Sequence, residues 1–297
     1  MTSAIATAGA QRSQPSTLRL SLGRFARRRS NLVALAVVAA AVLVALVPSE
    51  LVTRSATLVA VQDRFDPPFW AGGGSGHPLG TDYLGRDLVA RLIYAGRYAI
   101  TVTVAASLLA VAVGVAAGVV AGLLGGWVDA LISRFIDVQL AFPVIFLAIA
   151  VLAVAGPSLV NLVLVLALAE WPTFARLVRA AAVELRQRDF VEAATSIGAT
   201  RMRIATRHIV PNILSLVFVL ATYCTARVLL TESALGFLGL GVLPPAATWG
   251  GMVGDARNYL FAYSWVAILP GAVIAALVLA IGFLGDGLRD AFDPRVR

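Results

Sequence analysis

The 297-residue chain contains no lysine; all 24 of its basic residues are arginine. A Walker A loop places a lysine on the nucleotide phosphates, so this chain is not itself a P-loop ATPase. Cysteine is almost as scarce. Cys224 stands alone within an apolar run, which excludes an internal disulfide and a cysteine-based metal site. The two histidines, His77 and His208, lie too far apart in sequence to form a local metal-ligand pattern. Charged residues make up only 13% of the chain against 59% hydrophobic, with a mean hydropathy of +0.87. A soluble globular domain does not have that balance, so the chain reads as an all-α, polytopic integral membrane protein. The net charge of +8 then records topology and not nucleic-acid binding.

The apolar runs predict about six transmembrane helices. A basic N-tail (1–30) carries Arg12, Arg19, Arg24, Arg27, Arg28 and Arg29 with no acid, and the uncharged stretch that follows is long enough to span, so an uncleaved first helix is assigned to 31–48. Residues 49–97 are mixed and Gly/Pro-rich, as in an external loop of turns with short amphipathic helix. The remaining core, 98–285, holds five helices. The first contains Gly114, Gly118 and Gly122 at four-residue spacing, a small-residue ridge that lets helices approach closely in lipid. The next runs over 138–155 with Pro143 near its start or as a kink, followed by spans at 159–175, 212–230 and 265–285. An inner loop at 176–211 and a polar tail at 286–297 complete the chain. Seventeen arginines fall on the proposed inner side against 5 and 1 in the two outer loops, which places both termini and the 176–211 loop in the cytoplasm.

The most informative polar island is 189–211, which reads as helix, turn, helix. Asp189 is placed to cap the first helix with Glu192 three positions on, as in a capping box, and Phe190, Ala193, Ala194 and Ile197 form one apolar face. Gly198 sits where a helix end wants positive φ, Thr200 is placed to cap a second short helix, and Pro211 to open the next span. Two ionisable residues, Arg227 and Glu232, fall in or at the end of a span, where such groups normally face a bundle interior or a water-filled route. An arginine there suits a carboxylate and a glutamate an amino group, with pairing to another polypeptide as the competing role. They are about 140° apart around a helix and so do not pair with each other. Glu170, before Trp171-Pro172, reads as a solvated boundary residue.

At Glu192, Ala193, Ala194, Gly198, Ile209 and Pro211 the chain resembles the cytoplasmic loop of ABC-importer permease subunits. The resemblance covers roughly 80–295 and is strongest to the C-type subunit of dipeptide, oligopeptide and nickel importers. Its other blocks are Gly80-Thr81-Asp82-Tyr83-Leu84-Gly85-Arg86-Asp87; Gly125-Gly126-Trp127-Val128-Asp129 with Arg134 and Asp137; Leu230-Thr231-Glu232 through Gly241 to Pro244-Pro245 and Trp249-Gly250; and Gly285 to Asp290 with Asp293-Pro294-Arg295. Resemblance implies the type I ABC-importer permease fold and no catalysis by this chain, with ATP and magnesium bound in partner subunits. It implies a second homologous permease subunit, two ATP-binding subunits or domains, an extracytoplasmic solute-binding protein and surrounding lipid as partners. It also implies that Asp189, Glu192, Ala193, Ala194, Gly198, Arg201 and Pro211 form the ATPase-coupling site.

Three competing functions have weaker support. Gly73-Gly74-Ser75-Gly76-His77 contains a G-x-S-G string, but a serine nucleophile needs a base held in a buried site, and this loop has no anchoring apolar flank. A DNA-binding helix-turn-helix is disfavoured by the spans that flank the elbow closely. A secondary transporter or channel predicts an inverted repeat or broken, charged helices around an ion site, and no clear repeat is present.

Overall fold

The structure is a computed structural model, described here for residues 28–48, 56–74, 76–242 and 244–292. The arginines at 12, 19, 24 and 27, the loop at 49–55, Ser75 of the G-x-S-G string and the closing Asp293-Pro294-Arg295 lie outside the described residues. Among the described residues the regular structure is helical, with one isolated bridge between Thr81 and Asp87. The helices are α1 (Arg29–Ala45), α2 (Leu88–Leu124), α3 (Gly126–Leu140), α4 (Val144–Ala155), α5 (Leu159–Arg186), α6 (Asp189–Ser196), α7 (Arg201–Ile204), α8 (Val210–Phe237), α9 (Trp249–Ala256) and α10 (Trp265–Phe292).

Among the described residues, four helices are long and apolar enough to cross a membrane: α2, α5, the helix Arg201–Phe237 that contains α7 and α8, and α10. The α3/α4 pair supplies a fifth crossing if its two halves are one broken span, and α1 is a shorter apolar helix of 17 residues. The span expected over 138–155, with Pro143 near its start or as a kink, is made of parts of two helices bent by 89°. Proline explains the break. Pro143 has no N–H to give to a preceding turn, its ring disfavours helix at Phe142, and it serves as the N-cap residue of α4. The second span also begins earlier than expected, at Leu88, where the Asp87 carboxylate accepts the Ala90 N–H at 2.8 Å.

The centre of the bundle is the α2–α5 pair, the most extensive helix contact in the molecule. The glycine ridge makes it possible. A Cβ on Gly114 would stand 2.4 Å from the Phe174 Cβ, and one on Gly118 would stand 2.7 Å from the Ala175 carbonyl oxygen. Only bare backbone fits, so the two helices meet along a seam that excludes lipid. Around the seam, Val102, Ala106, Leu162, Leu166, Phe174 and Val228 form one buried cluster. At the elbow end, Val119, Val178, Ala182, Ile204, Ile209 and Ile213 form another. Arg28, at the start of α1, pairs with Asp290 near the end of α10 at 2.5 Å, which brings those two ends to the same side of the bundle.

Opposite the elbow, residues 80–87 fold into a tight polar knot. The Asp82 carboxylate accepts the backbone N–H groups of Leu84 and Arg86 at 2.8 and 3.0 Å and the Arg86 Nε at 2.7 Å, with Arg91 Nε at 3.3 Å. Thr81 and Asp82 are almost wholly buried. This motif is a local fold and not an exposed loop.

Candidate functional site

The elbow is built from α6, a turn at Gly198 and α7. Asp189 does not cap α6. Arg188 is the N-cap residue and is itself tied to Glu184 at 2.7 Å, while Asp189 and Glu192 both lie in the first turn without a side-chain cap hydrogen bond. The expected capping box is thus corrected. The two carboxylates act on the helix through its macrodipole, which favours negative charge at that end. Glu192 is exposed, and its carboxylate makes no hydrogen bond or ion pair among the described residues.

Of the apolar face that periodicity put at Phe190, Ala193, Ala194 and Ile197, only Ala194 is buried. Val191 and Ala194 are the buried residues, and Val191 belongs to the elbow-end cluster. Phe190, Ala193 and Ile197, spaced i, i+3, i+7, point outward, with Ile197 87% exposed. Met202 on α7 adds a second apolar tip at 74% exposure. An α-helix seated on one face and apolar on the other has the geometry of a helix that enters a partner's groove.

The turn follows the sequence expectation. Gly198 has φ +82°, in the left-handed region; its N–H reaches the Thr195 carbonyl at 2.9 Å, and the next N–H, from Ala199, reaches Ala194 at 3.0 Å. Thr200 caps α7 by accepting the Arg203 N–H at 3.3 Å, and Arg201 is exposed. After α7 there is no break before the span. Residues Ala205–Ile209 form a π-helical turn, in which the Val210 N–H bonds the Ala205 carbonyl, and Pro211 sits in the first turn of α8. The wider turn precedes a proline that has no N–H to offer. The result is one 37-residue helix, Arg201–Phe237, running from the elbow tip through the bundle.

Inside the bundle, Arg227 and Glu232 have different surroundings. Glu232 is fully buried where α8 meets α9, with its Oε2 3.4 Å from the Ser233 hydroxyl and its Oε1 without a hydrogen-bond partner among the described residues. The two helices touch so closely there that a Cβ on Gly250 would lie 2.2 Å from the Ser233 carbonyl oxygen. Arg227 is half exposed and pairs with Glu170 on α5 through Nη2, with the Thr173 hydroxyl 3.4 Å away. Glu170 is only 4% exposed, so its reading as a solvated boundary residue is corrected. No local pattern announces the pair, because its members stand on different helices.

A bundle of long apolar helices, one of which ends in an elbow with exposed apolar and acidic groups, defines a multi-pass membrane protein. A family described as "Binding-protein-dependent transport system inner membrane component" matches residues 114–297, and the chain belongs to that family. It is therefore a membrane component of a transport system and not an enzyme, as the motif resemblance implies. A relative in Brucella suis biovar 1 (strain 1330) is 38% identical over 278 residues, 94% of this chain and 92% of its own. The di/tripeptide transport system permease protein DppC of Pseudomonas aeruginosa (strain UCBPP-PA14) is 39% identical over 232 residues, covering 78% of this chain and 77% of that protein. The dipeptide transport system permease protein DppC of Alkalihalophilus pseudofirmus is 39% identical over 226 residues, covering 76% and 74%. In fold, the chain is similar to a chain of the MetNI methionine ABC transporter solved in inward facing conformations. The TM-score is 0.55 at 20% identity, covering 66% of this chain and 94% of that one.

Proposed function

We propose that this chain is the translocation-pathway permease subunit of an ATP-driven importer of peptides in a bacterial cytoplasmic membrane, with both termini and the elbow in the cytoplasm. The names of the relatives support the peptide substrate, and the arginine distribution supports the sidedness. The chain pairs with a second, homologous permease subunit. Two ATP-binding subunits or domains, which hold ATP and magnesium, dock at the inner elbows, and an extracytoplasmic solute-binding protein delivers the peptide.

The observation that carries this reading is the outward stripe Phe190, Ala193 and Ile197, with the unengaged Glu192 beside it, on an elbow whose second arm continues into a membrane-crossing helix. The ATPase groove takes the stripe. Glu192 accepts a charge-assisted hydrogen bond from a basic group on the ATPase, and Arg201 and Asp189 flank the contact. When the ATPase halves close, the force enters at α6 and α7. Because α7 passes into α8 without a flexible joint, displacement at the tip becomes tilting of α8 against the α2–α5 seam. This is a rigid-body, two-state change biased by nucleotide.

Glu192→Arg and Gly198→Val test this in the assembled transporter. Both variants are expected to insert and to reach the membrane at wild-type level while peptide uptake is lost. In detergent, an ATPase and a sister permease are expected to come down with the wild-type chain. Normal uptake by both variants, or solute transport by the purified chain alone, would overturn the coupling reading.

A further inference from the structure

Arg227 is the charge whose position the fold explains least. It lies about 15 Å along the helix from the Phe237 end of α8, and Glu170 about 17 Å from the Leu159 end of α5, so both are well inside a hydrocarbon layer ~30 Å thick. The Arg227 side chain is nevertheless 53% exposed. A guanidinium at that depth does not face lipid; its open side faces water or another polypeptide.

Three features favour water, and a solute carried in it. Glu170 already neutralises the charge from within the same chain, so folding and assembly need no acid from a neighbour. The open side borders a cavity of about 150 Å³ lined by Thr173, Phe174, Leu220, Tyr223 and Cys224 together with Arg227. Polar groups also continue along this side of α8: Tyr223, one turn nearer the elbow, donates to Asp286 at 2.5 Å, and Thr231 lies one turn beyond. A polar track along an otherwise apolar span belongs to a route and not to a lipid face. Within the track, Nη2 of Arg227 is engaged by Glu170, with Thr173 at 3.4 Å, while Nη1 and Nε make no hydrogen bond among the described residues. A guanidinium held at one corner with its other edge free matches the two oxygens of a carboxylate.

We propose that Arg227, positioned by Glu170 and Thr173, reads the carboxylate of the transported peptide as it passes through the membrane. This rests on the import reading above and adds a selecting residue within the pathway. The test uses the complete transporter in proteoliposomes, with ATP on the elbow side and peptide-loaded binding protein at saturation on the other. One peptide is compared with its C-terminal carboxamide for the wild type, Arg227→Gln and Arg227→Lys. Arg227→Gln is expected to lower kcat for the free-carboxylate peptide about tenfold or more, the scale of a lost charged hydrogen bond. KM, set by the binding protein, stays unchanged, and the carboxamide rate falls less than twofold. Arg227→Lys lies between wild type and Arg227→Gln, and the sister permease and ATP hydrolysis are retained. Equal losses for both peptides, no loss for either, or release of the sister permease would overturn the proposal. Where the binding protein does not load the carboxamide, the free peptide alone decides: kcat falling with ATP hydrolysis intact supports the proposal, and both falling together overturns it. A wild-type complex that takes up no peptide with ATP removes the import reading itself, whereas import unaffected by Arg227→Gln removes only the carboxylate contact.

Discussion

At residues 80–87 nearly every polar group is used within the chain. Asp82 serves two backbone N–H groups and two arginines, Thr81 accepts the Asp66 N–H at 2.8 Å, and Asp87 caps α2 while its other oxygen meets His77 at 2.9 Å. At residues 189–202 the reverse holds: Glu192 has no partner among the described residues, and Phe190, Ile197 and Met202 stand exposed. Both stretches are motif-like polar islands between apolar spans, and in sequence they look alike. The difference lies in where their interaction capacity is directed. A motif whose groups are satisfied internally sets local structure, and one that leaves charge and apolar surface open is shaped for something outside the chain.

The sharpest way to break this comparison is Asp82→Ala. Among the described residues the change leaves Arg91, 5% exposed, with only the more distant Asp255 at 3.6 Å as an ion-pair partner, and takes the Nε contact from Arg86. Removing one partner of a buried ion pair costs about 3–5 kcal/mol. The variant is expected to accumulate poorly and to melt well below wild type in detergent. A variant that melts normally and fails only in transport would put the knot in the same class as the elbow.

The opposite outcome is expected at the elbow tip. Ile197→Asp touches no buried contact, so stability stays within about 0.5 kcal/mol of wild type. An anchor side chain buried at an interface contributes about 1–3 kcal/mol or more to binding. Retention of the ATPase through detergent purification is therefore expected to fall tenfold or more, with transport falling in step. Unchanged retention would mean that the exposed stripe is not the docking surface.

Much of the fold was legible because hydropathy and glycine spacing report directly on lipid and on close packing. A close helix approach follows from Gly114, Gly118 and Gly122, although not that α5 is the partner, and the elbow turn follows from Gly198 and Thr200. Other features depend on information that a local window does not hold. Arg91 and Arg97 interrupt the apolar pattern, so the first turns of α2 read as loop although Leu88 and Arg91 are buried. Periodicity detects an apolar stripe but not what covers it, so Phe190, Ala193, Ala194 and Ile197 read as one face although only Ala194 among them is buried, and the buried Val191 lies outside that stripe. Glu170 lacks a local partner; the residue that neutralises it is on another helix. The break at Pro143 has a visible signal, since proline within an apolar run either kinks or ends a helix, and here the helix ends.

The smallest effect expected concerns the joint between the elbow's two arms. Thr200 supplies a single cap hydrogen bond to α7, at 3.3 Å, and Thr200→Ala removes it at a cost of about 1 kcal/mol confined to that turn. Global stability is carried by the α2–α5 seam and its clusters, so melting is expected to be unchanged. If force enters through α7 and passes along the unbroken helix to Phe237, a frayed first turn loses part of each stroke: uptake per ATP hydrolysed drops a fewfold while ATPase binding persists through Ile197 and Glu192. Hydrogen exchange is expected to speed up at the amides of residues 201–204 and to stay constant across α8. Thr200→Ser, which keeps the acceptor oxygen, should restore both. Faster exchange with full coupling would show that α6 alone carries the stroke, and the elbow would then be a one-armed contact, closer to the self-contained knot than its two helices suggest.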